Sequence, residues 1–425
     1  PKALCMPPVD QPAWGPRGVW IPVSRYLLVA NLILLLPKGH IGQRRSAAIV
    51  SLASCLIAAV LAFWVAALAA DDFWARPIPV QGPAPAYAIG NPVVADLSPS
   101  ACGVCHIPQF EAWRGSLHAL ALSPGVLGQL DALDGATRDD CLTCHAPREE
   151  MRDLWRDQGL AGVGQMAGVD CATCHVRAHV RHGPRSIAIT PHGAVEALPL
   201  YRQSEFCAPC HQFDETGLTV NGKPLENTLE EWRQSRYARE GVTCQACHMP
   251  EHRHSFKGIQ DPEMTRRGLG VEAWRTAGGL HVRASNRGAG HALPTYVTPR
   301  ILVDLAGPGD GARLRHVIAR TMRWSREEGW EELADTRLLP DESVALALDL
   351  AQGEGGEVRV RVEPGYDYDE RVYPILLALW SDTLSRAERG LLEQAREAAG
   401  RSAYDLYRFT CPPWGGRDEP CPEGP

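Results

Sequence analysis

Apolar residues are arranged in three different ways along the chain. Ala47 to Ala70 is a run of 24 residues without a charge, preceded by Arg44 and Arg45 and followed by Asp71 and Asp72, with an Ala-x-Ala pattern at its end. It is long enough to span a bilayer, and its end resembles an export-signal cleavage site. Residues 44–70 are therefore expected to be a signal peptide or a retained membrane anchor. With Lys38, Arg44 and Arg45 on the cytoplasmic side, everything after Asp71 faces outward, in a periplasmic or equivalent compartment. Residues 1–43 form an N-terminal extension with a second apolar patch at Tyr26 to Leu36, and residues 71–100, rich in Pro and Ala, read as an extended linker.

The second pattern, over residues 101–268, has no long stretch of helical or strand period and predicts short helices and loops. The third begins after Leu269. Leu280 to Ala284, Arg300 to Leu305, Ser343 to Leu350 and Glu357 to Val362 alternate or run apolar at strand length between Gly/Pro/Asp clusters, which predicts a small antiparallel β-sandwich over 269–382. Ser385 to Ala399 reads as an amphipathic helix within a C-terminal segment, 383–425. Cys411 and Cys421 in its tail are expected to pair as a disulfide in an oxidising compartment.

Cysteine spacing changes this picture most. Ten of the 14 cysteines fall into five Cys-x-x-Cys-His motifs: Cys102/Cys105/His106, Cys141/Cys144/His145, Cys171/Cys174/His175, Cys207/Cys210/His211 and Cys244/Cys247/His248. That pattern marks covalent attachment of haem c. Two thiols at i and i+3 lie on one side of a helical turn and can add to the two vinyl groups of one haem, and the adjacent His then binds the iron. Zinc binding or dithiol redox chemistry would not require a His after every pair. Five haems over residues 101–268 leave roughly 35 residues per cofactor, too few to enclose a conventional core, so the porphyrins must supply much of the buried apolar surface.

Histidine supply bears on the opposite face of each iron. Beyond the five motif histidines, the exported part holds His118, His179, His182, His192, His252, His254, His281, His291 and His316. Nine candidates suffice to close five haems, so bis-His ligation is expected at most or all sites, at lower potential than His/Met ligation. Met151, Met166, Met249 and Met264 read as packing or loop residues. His179, four residues after His175, would share a helix face with it and so cannot reach the other side of that haem, but it or His182 can serve a neighbour.

The stretches CGVCHIPQFEAWRGSLHALA, FCAPCHQF, NGKPLENTLEEWRQSRYAREGVTCQACHMP, HSFKGIQDPEM and NRGAGHALPTYVTPR resemble bacterial multihaem cytochromes of the cytochrome c554-like class over most of residues 100 to 410. The resemblance implies an electron-transfer protein of a respiratory chain. It implies distal ligands at His118 and His291 and, by position before the fourth motif and after the fifth, at His192 and His254. Gln260 stands where the resemblance implies a His. The fifth distal ligand is thus divided among His179, His182 and His281, with His182 taken as the candidate.

The formal charge of −7 conceals a basic N-terminal segment; residues 71–425 carry −12. That excludes nucleic acid as a natural partner and favours basic redox proteins or a membrane redox complex. The β-sandwich is a candidate for self-association or for docking onto a porin. An enzyme with one open haem acting on a small nitrogen or sulfur compound is the alternative to a pure electron carrier; against it, no motif replaces its His with Lys, and histidines are plentiful.

Overall fold

The computed structural model describes residues 73–424 apart from 164–167, 214–216, 326 and 367–370. The expected export segment and N-terminal extension lie outside the described residues. Among the described residues no helix is long and apolar enough to cross a membrane.

Residues 76–268 are built of short helices, loops and two minor sheets, β1–β3 (Val176–Arg177, Val180–Gly183, Val195–Ala197) and β4–β5 (Thr219–Val220, Lys223–Pro224). Each Cys-x-x-Cys-His motif lies on or at the end of a helix: Pro99–Gly103, Gly135–His145, Cys171–His175, Ala208–His211 and Cys244–His248. Three of these start on a side-chain cap, Ser98, Asp134 and Asp170, whose oxygens accept otherwise orphaned helix N–H groups. Among the described residues one apolar cluster here gathers eight buried side chains from Leu122 to Trp155.

Residues 76–100 are not the extended linker the composition suggests. Ile78 is fully buried and hydrogen-bonds Pro147 and Glu149 through its backbone, and two single-turn helices follow at Ala86–Ile89 and Pro92–Ala95. Pro occupies the first position of the second helix, where its missing N–H costs nothing, so a Pro-rich composition conceals the turn.

The β-rich part holds two four-stranded sheets. One runs β12 (Ser343–Asp349), β7 (Gly279–Asn286), β6 (Leu269–Thr276), β15 (Glu419–Pro420); the other runs β14 (Tyr404–Cys411), β13 (Gly356–Glu363), β8 (Arg300–Ala306), β9 (Arg313–Ile318), all antiparallel. Alternation explains the shared core: Leu280, Val282 and Ala284 of β7 and Val358, Val360 and Val362 of β13 bury the same cluster while their intervening residues face out. A separate hairpin, β10–β11 (Arg320–Ser325, Gly329–Asp335), packs on the other part of the chain. The helix Arg386–Gly400 begins on a capping box between Ser385 and Glu388. The segment beyond it is more than a tail. It contributes β14 and β15, one to each sheet, and the Cys411–Cys421 disulfide ties the two strands together.

Candidate functional site

Burial governs the chemistry of the motif histidines. It holds His145 and His175 down to about 4, and His211 and His248 below the ordinary imidazole range. These rings are neutral at physiological pH, as a metal ligand must be. Their orientation is fixed from behind: Nδ1 of His145, His175 and His248 meets the carbonyl oxygens of Ala121 (2.7 Å), His182 (2.9 Å) and Lys257 (2.8 Å), and Nδ1 of His211 meets the Tyr296 hydroxyl (2.8 Å). A carbonyl can only accept, so each of the first three rings carries its proton on Nδ1 and turns the Nε2 lone pair away.

Four motif imidazoles face a second one across a constant gap. Ring centres are 6.2 Å apart for His106 and His192, 6.1 Å for His211 and His118, 6.1 Å for His175 and His254, and 6.3 Å for His248 and His291. With a metal–nitrogen distance of about 2 Å and about 1.1 Å from nitrogen to ring centre, two imidazoles on opposite sides of one metal ion stand about 6.2 Å apart. The facing rings are held in the same manner. His254 Nδ1 meets the His252 carbonyl and His291 Nδ1 that of Ala292, both at 2.9 Å. His192 Nδ1 meets Thr190 Oγ1 at 2.8 Å; that hydroxyl donates its proton to the Gly193 carbonyl, so the imidazole is the donor. Burial depresses all four, His118 to about 3. The residues present therefore fit a planar iron cofactor between the members of each pair.

His145 is different. Among the described residues no second imidazole stands in ring contact with it. The expectation that His182 completes a fifth pair is not met: its side chain points to Glu196 (Nδ1 to Oε2, 3.9 Å), and its carbonyl is committed to His175. His179 is not on the helix of His175, which ends at that residue; it sits in a left-handed turn (φ 62°) with Nε2 on the Gly82 carbonyl. His281 lies in β7, bonded to Thr276 and stacked on Trp274.

The first motif departs from the expected placing of both thiols on one helical turn. Its helix, Pro99–Gly103, carries Cys102 but ends two residues before Cys105, which lies exposed in the turn that follows. The reason is local. After Gly103 three-residue and four-residue hydrogen bonds mix: Val104 N–H donates to the Ala101 carbonyl, while the Cys102 carbonyl accepts from His106 N–H at 2.9 Å and also from Cys105 N–H at 3.2 Å, a sharing common where a short helix runs out. Because that last bond still joins the two cysteines, Cys105 stays one turn from Cys102, and a thioether formed there would lie at the protein surface rather than in the interior.

Nine of the ten motif cysteines are free thiols, and thiols of different motifs touch. Cys102 and Cys171, Cys144 and Cys210, and Cys207 and Cys244 are hydrogen-bonded pairs. Donation from Cys210, reinforced by Arg76, holds Cys144 down to about 7 against the effect of burial. Arg76 Nη1 lies 3.3 Å from Cys144 Sγ and 3.7 Å from Cys210 Sγ. Cys141 is disulfide-bonded, and a sulfur in a disulfide must be reduced before it can form a thioether. Sequence reasoning did not single out the supporting residues Tyr296, Thr190, Phe256 and Arg76. Phe256 lies 4.2 Å from His118 and 5.8 Å from His254, between two of the pairs.

Residues 101–176, which span the first three motifs, match the family described as cytochrome c554 and c-prime. No curated protein matches the chain. Among solved structures it is similar to a penta-heme cytochrome c552 from Thermochromatium tepidum, at 19% identity and a TM-score of 0.54, over 75% of this chain and 99% of that one. At that identity the likeness speaks to the fold. The first three motifs thus resemble the cytochrome c554 family, and the fold of the chain is similar to that of a solved multihaem cytochrome.

Proposed function

We propose that this cytochrome carries five haems, four of them closed by the pairs His106/His192, His211/His118, His175/His254 and His248/His291, and passes electrons between redox partners. The observation that carries the reading is the common 6.1–6.3 Å separation of four imidazole pairs. Haem iron supplies a one-electron couple that needs no bond to substrate when both axial positions are filled. The thiol contacts join the first motif to the third, the second to the fourth and the fourth to the fifth, which places neighbouring attachment points within a side chain's width. The net acidity of residues 71–425 supports basic redox proteins as partners, and the two sheets, read as a β-sandwich, offer a surface for a membrane complex, a porin or a further copy of the chain. C-type cytochromes are typically exported to the periplasm, and we place this one there.

One observation favours a second reading. No described imidazole faces His145, so the second motif is the position at which a small nitrogen or sulfur compound would reach an iron. Intact mass and electron paramagnetic resonance of the oxidised protein test both readings. The expected result is a mass gain of five haems with four low-spin centres and one that responds to cyanide, nitrite or hydroxylamine. Fewer than four low-spin centres would overturn the pairing. Five low-spin centres inert to all three ligands would remove the second reading.

A further inference from the structure

The β-rich part reaches into the fifth site through a buried ion pair. Glu231 lies on the helix Thr228–Gln234, between the fourth and fifth motifs, and Arg337 follows β11; both side chains are less than a tenth exposed. Glu231 Oε1 accepts from Arg337 Nη1 at 3.1 Å. Its other oxygen accepts from the backbone N–H of Ala292 at 3.0 Å and from Thr295 Oγ1 at 3.1 Å, so one carboxylate grips both ends of the loop that begins at His291. Arg337 Nη1 also donates to the Thr295 carbonyl, while its remaining nitrogens hold Asp335.

The rest of that loop is held just as closely. Asn286, fully buried at the end of β7, donates to the carbonyls of His291 and Leu338, and Leu293 and Leu338 exchange both backbone hydrogen bonds. A Cβ on Gly288 would lie 1.9 Å from the Arg267 carbonyl oxygen, so the loop passes where no side chain fits. The β10–β11 hairpin is itself fastened to residues 221–224: Lys223 pairs with Glu332 at 2.6 Å, and Arg320 donates to the Pro224 carbonyl.

We propose that Glu231 and Arg337 are positioning residues for His291, so that the β-rich part sets the geometry of the imidazole facing His248. The proposal rests on the reading of His248 and His291 as an axial pair. Groups behind a metal-bound His commonly change its affinity about tenfold to a hundredfold when removed. Loosening the clamp should therefore let the His291 ring leave more often.

The test uses the full haem-loaded chain and four variants: His291→Ala, Glu231→Gln, Arg337→Met, and Arg323→Met, which breaks the exposed Arg323–Glu331 pair of the same hairpin. Each is accepted for measurement once its mass shows an unchanged haem count. H291A should convert one low-spin signal to high-spin. E231Q and R337M should alter that same signal and its reduction potential and bind cyanide there about tenfold faster or more, with R323M unchanged. If H291A converts a signal while E231Q and R337M leave its g-values, potential and cyanide rate at wild-type values, the proposal is overturned and the axial pair stands. If H291A converts nothing, the axial pair and the proposal fall together. Should R337M not accumulate, Arg337→Lys replaces it: one ammonium keeps the charge but cannot serve Glu231, Asp335 and Thr295 together, and the same criteria apply.

Discussion

Replacing Asp170 should destabilise the protein in a way that separates charge from capping. Asp170 and Arg148 are both buried and joined at 2.6 Å, linking the residue three positions after His145 to the residue just before Cys171. The second Asp170 oxygen accepts from Thr173 N at 2.7 Å and from its hydroxyl at 2.9 Å, capping the helix of the third motif. Losing the cap costs about 1 kcal/mol, and leaving a buried guanidinium without its partner costs about 3–5 kcal/mol. Glu150, at 3.4 Å from Arg148 Nε, offers partial compensation. Asp170→Ala is therefore expected to lose about 4 kcal/mol. Asp170→Asn keeps an oxygen for the cap and should lose about 3 kcal/mol. In Arg148→Met/Asp170→Asn neither buried charge remains, and a coupling of about 2 kcal/mol should separate the double variant from the sum of its parts. Guanidinium unfolding of the oxidised holoprotein, followed at the Soret band and by far-UV circular dichroism, measures these three and the single Arg148→Met that closes the cycle. Additivity within about 0.5 kcal/mol would refute the reasoning, because independent sites behave that way.

Two further outcomes follow from the β-rich part. The Cys411–Cys421 disulfide closes a loop with a sequence separation of 10, and replacing both by Ser should lower unfolding stability by about 2.7 kcal/mol on the loop-entropy scale; an unchanged denaturation midpoint would contradict this. Burial raises the Asp335 carboxyl, but Arg337 and Lys223 more than offset it and hold it at about 2. A depressed carboxylate stabilises the fold above its unfolded pKa of about 3.9 and loses that contribution as pH falls through its folded value. The acid limb of the stability curve should therefore be shallower between about pH 4 and pH 2 in Asp335→Asn than in wild type.

What could be read from the sequence follows the range of the interactions involved. β7 and β13 announce themselves because alternate residues are apolar, a property visible within six positions. β6 does not, since Arg275 in its interior is almost wholly buried on the carbonyls of Thr276, Ala351 and Glu354. β14 and β15 are concealed in a segment rich in Pro, Gly and Cys, because their pairing depends on partners more than 40 residues away. The Cys-x-x-Cys-His motifs are local and therefore legible. Which imidazole faces which is not: His106 meets His192, 86 positions on, and His118 meets His211, 93 on. Glu231 and Arg337 give no local signal either, as two charged residues 106 positions apart become a buried pair only when two parts of the chain close on them.

The thiol contacts between motifs bear on the order of events during biogenesis. In the folded arrangement Cys102 touches Cys171, Cys144 touches Cys210, and Cys207 touches Cys244. A polypeptide that reached this shape in an oxidising compartment before receiving its cofactors would have three pairs of sulfurs ready to cross-link wrongly. Each wrong bridge would block two attachment sites at once. On the haem reading proposed above, attaching the cofactor while the chain is still open would take these sulfurs out of reach of one another, so that covalent capture would double as protection against wrong cross-links.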